Sequence, residues 1–175
     1  MELHLVDSSP EVAQALASQF RLFPEIDVCC DDILSVGSGA VVSPANGHGY
    51  LDGGIDHAYL ERFGLGFAGR VRDACNARPE GHLPVGASAI VRTGSLPIEF
   101  VILAPTMVMP EAVPASHAGR ALAAVLRIAG TLPSGTPVYC PGLATGVGQV
   151  SPEEAASSMA QAYRRWLGSR PGASS

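Results

Sequence analysis

The chain has 175 residues, 47% of them hydrophobic and 15% charged, with a formal net charge of −5. That balance excludes a disordered chain and fits one domain with a real core, and without a basic stripe it argues against strong binding to a nucleic-acid backbone. No run of eighteen apolar residues occurs, and the opening MELHLVDSSP lacks the basic-then-apolar layout of a leader, so a cytoplasmic protein without membrane contact is expected.

ELHLVD (2–7) reads as a short strand. Ser8 or Ser9 can cap a helix over PEVAQALASQF, with Pro10 at its first position. EIDVCC (25–30) is a second strand and SGAVVSPA (38–45) a third, almost wholly apolar, as a strand covered on both faces would be. GIDHAYLERFG and GFAGRVRDACNA predict two helices, ending near Gly64 and before Pro79. Strands follow at GASAIVRTG (86–94) and EFVILAPT (99–106). PASHAGRALAAVLRIAG predicts a helix from Ser116 to Gly130, and PVYC (137–140) a short buried strand. SPEEAASSMAQAYRRWLG (151–168) predicts a last helix, with Ser151 as cap and Glu154 placed to close a capping box.

Strands alternating with helices predict a three-layer α/β/α sandwich with a mixed, mainly parallel central sheet. Without repeat or linker, residues 1–168 form one domain and 169–175 a frayed tail. Ligands in such sheets bind beyond the carboxyl ends of central strands. Two Gly-rich loops fall there: 46–54 after AVVSPA, and PGLATGVGQV (141–150) after PVYC. Their glycines let backbone N–H groups approach an anion, and a helix starting near Gly54 adds its positive end. A diphosphate suits that arrangement. The chain has no lysine, which excludes a Walker-A site and leaves the backbone to hold phosphate.

Several separated motifs then agree in order and spacing. DDILSVGSGAVVSPANGHGYLDGGID resembles the start of a macro domain, the ADP-ribose-binding fold, and CPGLATGVGQVSPEEAA resembles its second signature. PVGASAIVRTG, LAPTMVMP and MAQAYRRW are similar to a bacterial and phage-associated branch, so that the resemblance spans roughly residues 2 to 168. It implies that Asp32 accepts a hydrogen bond from the adenine amino group, with Ile33 lining that pocket. Asn46 would bind hydroxyls of the distal ribose. Gly53, Gly54 and Ile55 would form one diphosphate loop, and Thr145, Gly146, Val147 and Gly148 the other. Asp56 would orient or activate a water, making Asn46 and Asp56 the catalytic residues.

The activity implied is removal of ADP-ribose from a modified acceptor or a small ADP-ribose derivative, by a hydrolase needing neither metal nor cofactor. A non-catalytic reader of ADP-ribose is the alternative. The partner is ADP-ribose or an ADP-ribosylated macromolecule. Two positions depart from the pattern: Asp52 stands where glycine is commoner, and Gly148–Gln149 where an aromatic is commoner.

Plainer roles compete for the same residues. Asp32 can be a loop acid or a helix cap, and Asn46 a left-handed turn residue. Asp56 can be a first-turn acid favoured by the helix dipole, and the second loop a strand-to-helix turn. His48, Asp52, Asp56 and His57 fit no zinc template, and the four cysteines read as buried free thiols.

Overall fold

The computed structural model describes residues 1–170. In chain order the elements are β1 (Leu3–Asp7), α1 (Pro10–Phe20), β2 (Asp27–Cys30), α2 (Ile33–Val36), β3 (Gly39–Ser43), α3 (Gly54–Asn76), β4 (Ala89–Arg92), β5 (Ile98–Leu103), α4 (Ser116–Ala129), β6 (Val138–Cys140) and α5 (Pro152–Ser169). The six strands lie in the order β2-β1-β6-β3-β5-β4. All neighbours are parallel except β4, which runs antiparallel to β5.

Alternation along the central strands divides the core in two. Ala40 and Val42 of β3, with Phe100 and Ile102 of β5, meet α1, α4 and α5 on one face. Val41, Val101 and Leu103, one residue out of phase, meet Tyr59, Phe67 and Val71 of α3 on the other. Period-two burial with apolar residues in both phases is what a sheet covered on both sides requires.

Local chemistry sets the element ends. Ser9 caps α1, its side chain accepting from the Val12 N–H, and Pro10 starts the helix. At α5 the Ser151 hydroxyl accepts from the Glu154 N–H, but the Glu154 carboxylate accepts from that hydroxyl rather than from the backbone, so the predicted capping box is only half formed. α3 is broken at Gly64, whose φ of 81° and ψ of −178° no helix holds; the two predicted helices are its two arms. α5 runs through Ser169, into the stretch read as tail, and 171–175 lie outside the described residues.

Two expectations need correction. Residues 33–36 form a short helix that the sequence pattern did not announce. Cys75 and Cys140 are buried, but Cys29 and Cys30 are exposed, because β2 is an edge strand.

The segment 85–93 is tied down by arginines. Arg70 donates to the carbonyls of Arg92 and Thr93, and Arg78 to that of Ser88. From α4, Arg120 donates to the Val85 carbonyl and Arg127 to that of Gly86. No arginine forms an ion pair among the described residues.

Candidate functional site

β6 and β3 are neighbours, so the two Gly-rich loops leave adjacent strand ends as expected. The chain departs from β1 toward one edge of the sheet and from β3 toward the other. A crevice opens at the carboxyl ends between them. It holds about 770 Å³ and is walled by the ends of β1, β2, β3, β5 and β6. Asp32, Ile33, Asn46, Gly53, Gly54, Ile55, Asp56, Thr145, Gly146 and Val147 all line it. Gly148 does not: it is buried behind the loop, its carbonyl accepting from the Val113 N–H at 3.0 Å.

The glycines of the two loops serve two purposes. A Cβ on Gly47 would lie 2.6 Å from the Leu83 carbonyl oxygen, and one on Gly148 2.7 Å from that of Ala144; these glycines let the protein pack against itself. Gly49 has a φ of 70° and lies against Val71 and Cys75. Gly53, Gly54 and Gly146 have nothing within 4 Å of an added Cβ, and all three face the crevice. Gly53, at the N-cap of α3, offers no side-chain hydrogen bond, so the first N–H groups of that helix have no cap. Uncapped N–H groups beside open space form an anion site.

Five aspartates line the crevice (Asp7, Asp31, Asp32, Asp52 and Asp56) and no cationic side chain does. Several are occupied in shaping it. Asp7 accepts from the Ser9 N–H and the Gly142 N–H, both at 2.9 Å, fixing the second loop to the end of β1. Asp32 caps α2, accepting from the Leu34 N–H at 2.9 Å and the Ser35 hydroxyl at 3.2 Å. It is exposed and keeps lone pairs free for a further donor.

Asn46 is not left-handed; its side chain closes the first loop instead. The amide oxygen accepts from the His48 and Tyr50 N–H groups at 3.1 and 3.2 Å, and the amide nitrogen donates to the Tyr50 carbonyl at 3.1 Å. Both acceptor sites and one donor hydrogen are used, which leaves one N–H for the crevice.

Asp56 is 8% exposed, in the first turn of α3. The Ser43 hydroxyl donates to its Oδ1 at 2.5 Å. Burial pushes its carboxyl up, the Ser43 hydrogen bond opposes this, and the charge of Asp52 adds to the rise, giving a pKa of about 7. Such a group exchanges a proton with water near neutrality. His57, next in sequence, is turned outward with its ring 3.5 Å from Glu61.

Sequence reasoning missed Asp7, Ser43, Tyr50 and the Thr106–Met107 stretch, which all shape or line the crevice. Asp7 and Ser43 left a signal, each being a polar residue at the end of an apolar strand. Tyr50 and Thr106–Met107 left none, because only the pairing of Asn46 with Met107 brings those loops together.

Solved structures share this fold. The macrodomain of Mycobacterium tuberculosis DarG is 21% identical and superposes over 77% of this chain and 87% of its own, with a TM-score of 0.65. A mutant Oceanobacillus iheyensis macrodomain with ADPR is 20% identical over 81% of this chain and 77% of its own, TM-score 0.67. A Trypanosoma brucei macrodomain in complex with ADP-ribose is 18% identical over 98% of this chain and 60% of its own, TM-score 0.61. In sequence, an uncharacterised Aquifex aeolicus protein is 34% identical over 81% of this chain and 82% of its own. The macro domain family model matches residues 42–159, a stretch that holds both Gly-rich loops and the strands between them. The chain therefore belongs to the macro domain family.

Proposed function

We propose that the crevice binds ADP-ribose and that the protein hydrolyses the bond joining ADP-ribose to a modified acceptor. The observation that carries the proposal is a buried carboxyl poised near neutrality beside uncapped helix N–H groups. The diphosphate lies between Gly53–Ile55 and Thr145–Val147, with adenine toward Asp32 and Ile33 and the distal ribose toward Asn46 and Asp56. Asp56 takes a proton from a water whose oxygen bonds to the anomeric carbon. The bond to the acceptor breaks, and the acceptor's oxygen leaves with a proton from solvent. The helix N-terminus holds the phosphates without a lysine or arginine. ADP-ribose in the solved relatives from Oceanobacillus iheyensis and Trypanosoma brucei supports the ligand.

Two measurements test binding. At a hundred-fold excess over Kd, ADP-ribose adds about 2.7 kcal/mol to stability, seen as a raised Tm. Gly146→Glu abolishes that shift: the position is open, so the side chain folds without a clash and puts a negative charge where the diphosphate lies. A wild type whose Tm ignores saturating ADP-ribose sinks the reading. So does a Gly146→Glu protein that responds normally.

Asp32→Asn separates recognition from capping, since an asparagine still caps α2 but has a weaker acceptor for the adenine amino group. Calorimetry is expected to show ADP-ribose affinity lowered by roughly 1–3 kcal/mol with Tm almost unchanged. Equal affinity for the two proteins would leave Asp32 as a cap alone. Catalysis is tested by release of ADP-ribose from an Asp/Glu-modified protein and from a modified nucleic-acid strand in parallel. Tight binding with no release from either acceptor points to a reader.

A further inference from the structure

We propose that Ser43 and Asp52 set the protonation of Asp56 in opposition, the serine holding the carboxylate from the strand and the aspartate working against it from the loop. The inference rests on the site proposed above and deepens it, assigning two positioning residues to the one carboxyl that does the chemistry.

Ser43 is the last residue of β3 and wholly buried. Its Oγ accepts from the Ala45 N–H at 3.4 Å, which leaves the hydroxyl hydrogen for Asp56 Oδ1, 2.5 Å away. The hydroxyl thus has one fixed direction, and it ties the end of β3 to the first turn of α3. Only the ionised carboxylate gains fully from such a donor.

Asp52 stands four residues before Asp56, across the open Gly53–Gly54 pair. It is exposed, lines the same crevice and pairs with no cation among the described residues. Its charge disfavours a second charge nearby, as the raised Asp56 pKa records.

The other titratable groups around Asp56 do not supply a counter-charge. On α3, the Tyr59 hydroxyl is donated to the Val42 carbonyl at 3.0 Å, and His57 faces Glu61. Asp7 and Asp32 stand on the other walls, and Cys140, at the end of β6, is a buried thiol whose pKa burial pushes up. Asp56 therefore answers to one donor and one repelling charge, and removing either moves its midpoint in a known direction.

The test is a pH titration of carbon-13-labelled aspartate carboxyls by NMR, with Asp56→Asn identifying the resonance. In Ser43→Ala the midpoint rises by about one to two pH units. In Ser43→Cys, a weaker donor filling nearly the same space, it rises less. In Asp52→Ser it falls by roughly half a unit, and that fall fades in 1 M NaCl because the charge is exposed. Serine is chosen because asparagine before Gly53 would revert by deamidation. The pH profile of kcat on an ADP-ribosylated protein shifts the same way, with KM steady.

Midpoints that stay put, or that move in the same direction, overturn the proposal. If Ser43→Ala does not fold, Ser43→Cys and Asp52→Ser still decide the sign. Opposite shifts in a protein that releases no ADP-ribose would sustain the proposal and sink the hydrolase reading. Release with immobile midpoints would do the reverse.

Discussion

Asp56→Asn is expected to release ADP-ribose from a modified acceptor ~10²–10⁴-fold more slowly than the parent protein, the usual contribution of a positioned general base. The asparagine keeps an oxygen facing the Ser43 hydroxyl and fills the same volume, so the crevice keeps its shape. What it loses is the capacity to take a proton. Affinity for free ADP-ribose changes little, because the adenine and diphosphate contacts of the proposed mode lie on Asp32, Ile33 and the two open loops. The loss therefore falls on kcat and on kcat/KM equally, as for an interaction made in the transition state. Single-turnover release with the two proteins at equal saturation reads it out. Full activity in Asp56→Asn would move water activation to the phosphates or the backbone.

The same substitution makes the protein more stable at alkaline pH. Asp56 titrates near 3.8 in a model chain and at about 7 in the fold, burial being the largest cause. Between those values the native state holds a proton that the unfolded chain has released, so stability falls as pH rises. The stabilising preference is fully present below about pH 4 and is lost as pH climbs through 7. A shift of about three units corresponds to up to roughly 4 kcal/mol. Asp56→Asn removes this slope, so its Tm exceeds that of the parent by roughly 10 °C at pH 8 and matches it near pH 4. Thermal unfolding at the two pH values decides. A difference that does not grow with pH would show Asp56 ionised at no cost in the folded protein. A group that slows the reaction when replaced and stabilises the fold when neutralised is retained for its chemistry.

Much of the fold was legible because its signals are local. Ser9–Pro10 and Ser151–Pro152 mark helix starts through their own capping chemistry, and AVVSPA is apolar in both phases because helices cover both faces of β3. The break in α3 was legible at Gly64 for the same reason. α2 was not: four residues carry no periodicity, and only the Asp32 carboxylate on the Leu34 N–H defines its start.

At the site, the two loops could be read from their glycines, but the sequence does not say which glycines face a ligand. Gly47 and Gly148 look like Gly53 and Gly146 until Leu83 and Ala144 are seen against them. The poise of Asp56 was hidden too, since it depends on a serine thirteen residues away.

The arginines over residues 85–93 bear on how the molecule behaves in a crowd. β4 closes one side of the sheet, and a bare outer strand is a template on which another chain can hydrogen-bond. The Thr93 N–H bonds inward to the Glu99 carbonyl, so Arg92, one residue out of phase, turns its carbonyl outward. Arg70 already occupies that carbonyl, and Arg78 occupies the one at Ser88. An incoming strand would have to displace guanidinium groups that no carboxylate neutralises, and a second copy would bring the same positive charges to the encounter. Side chains that tie a connecting segment to two helices thereby also keep one sheet from growing onto the next.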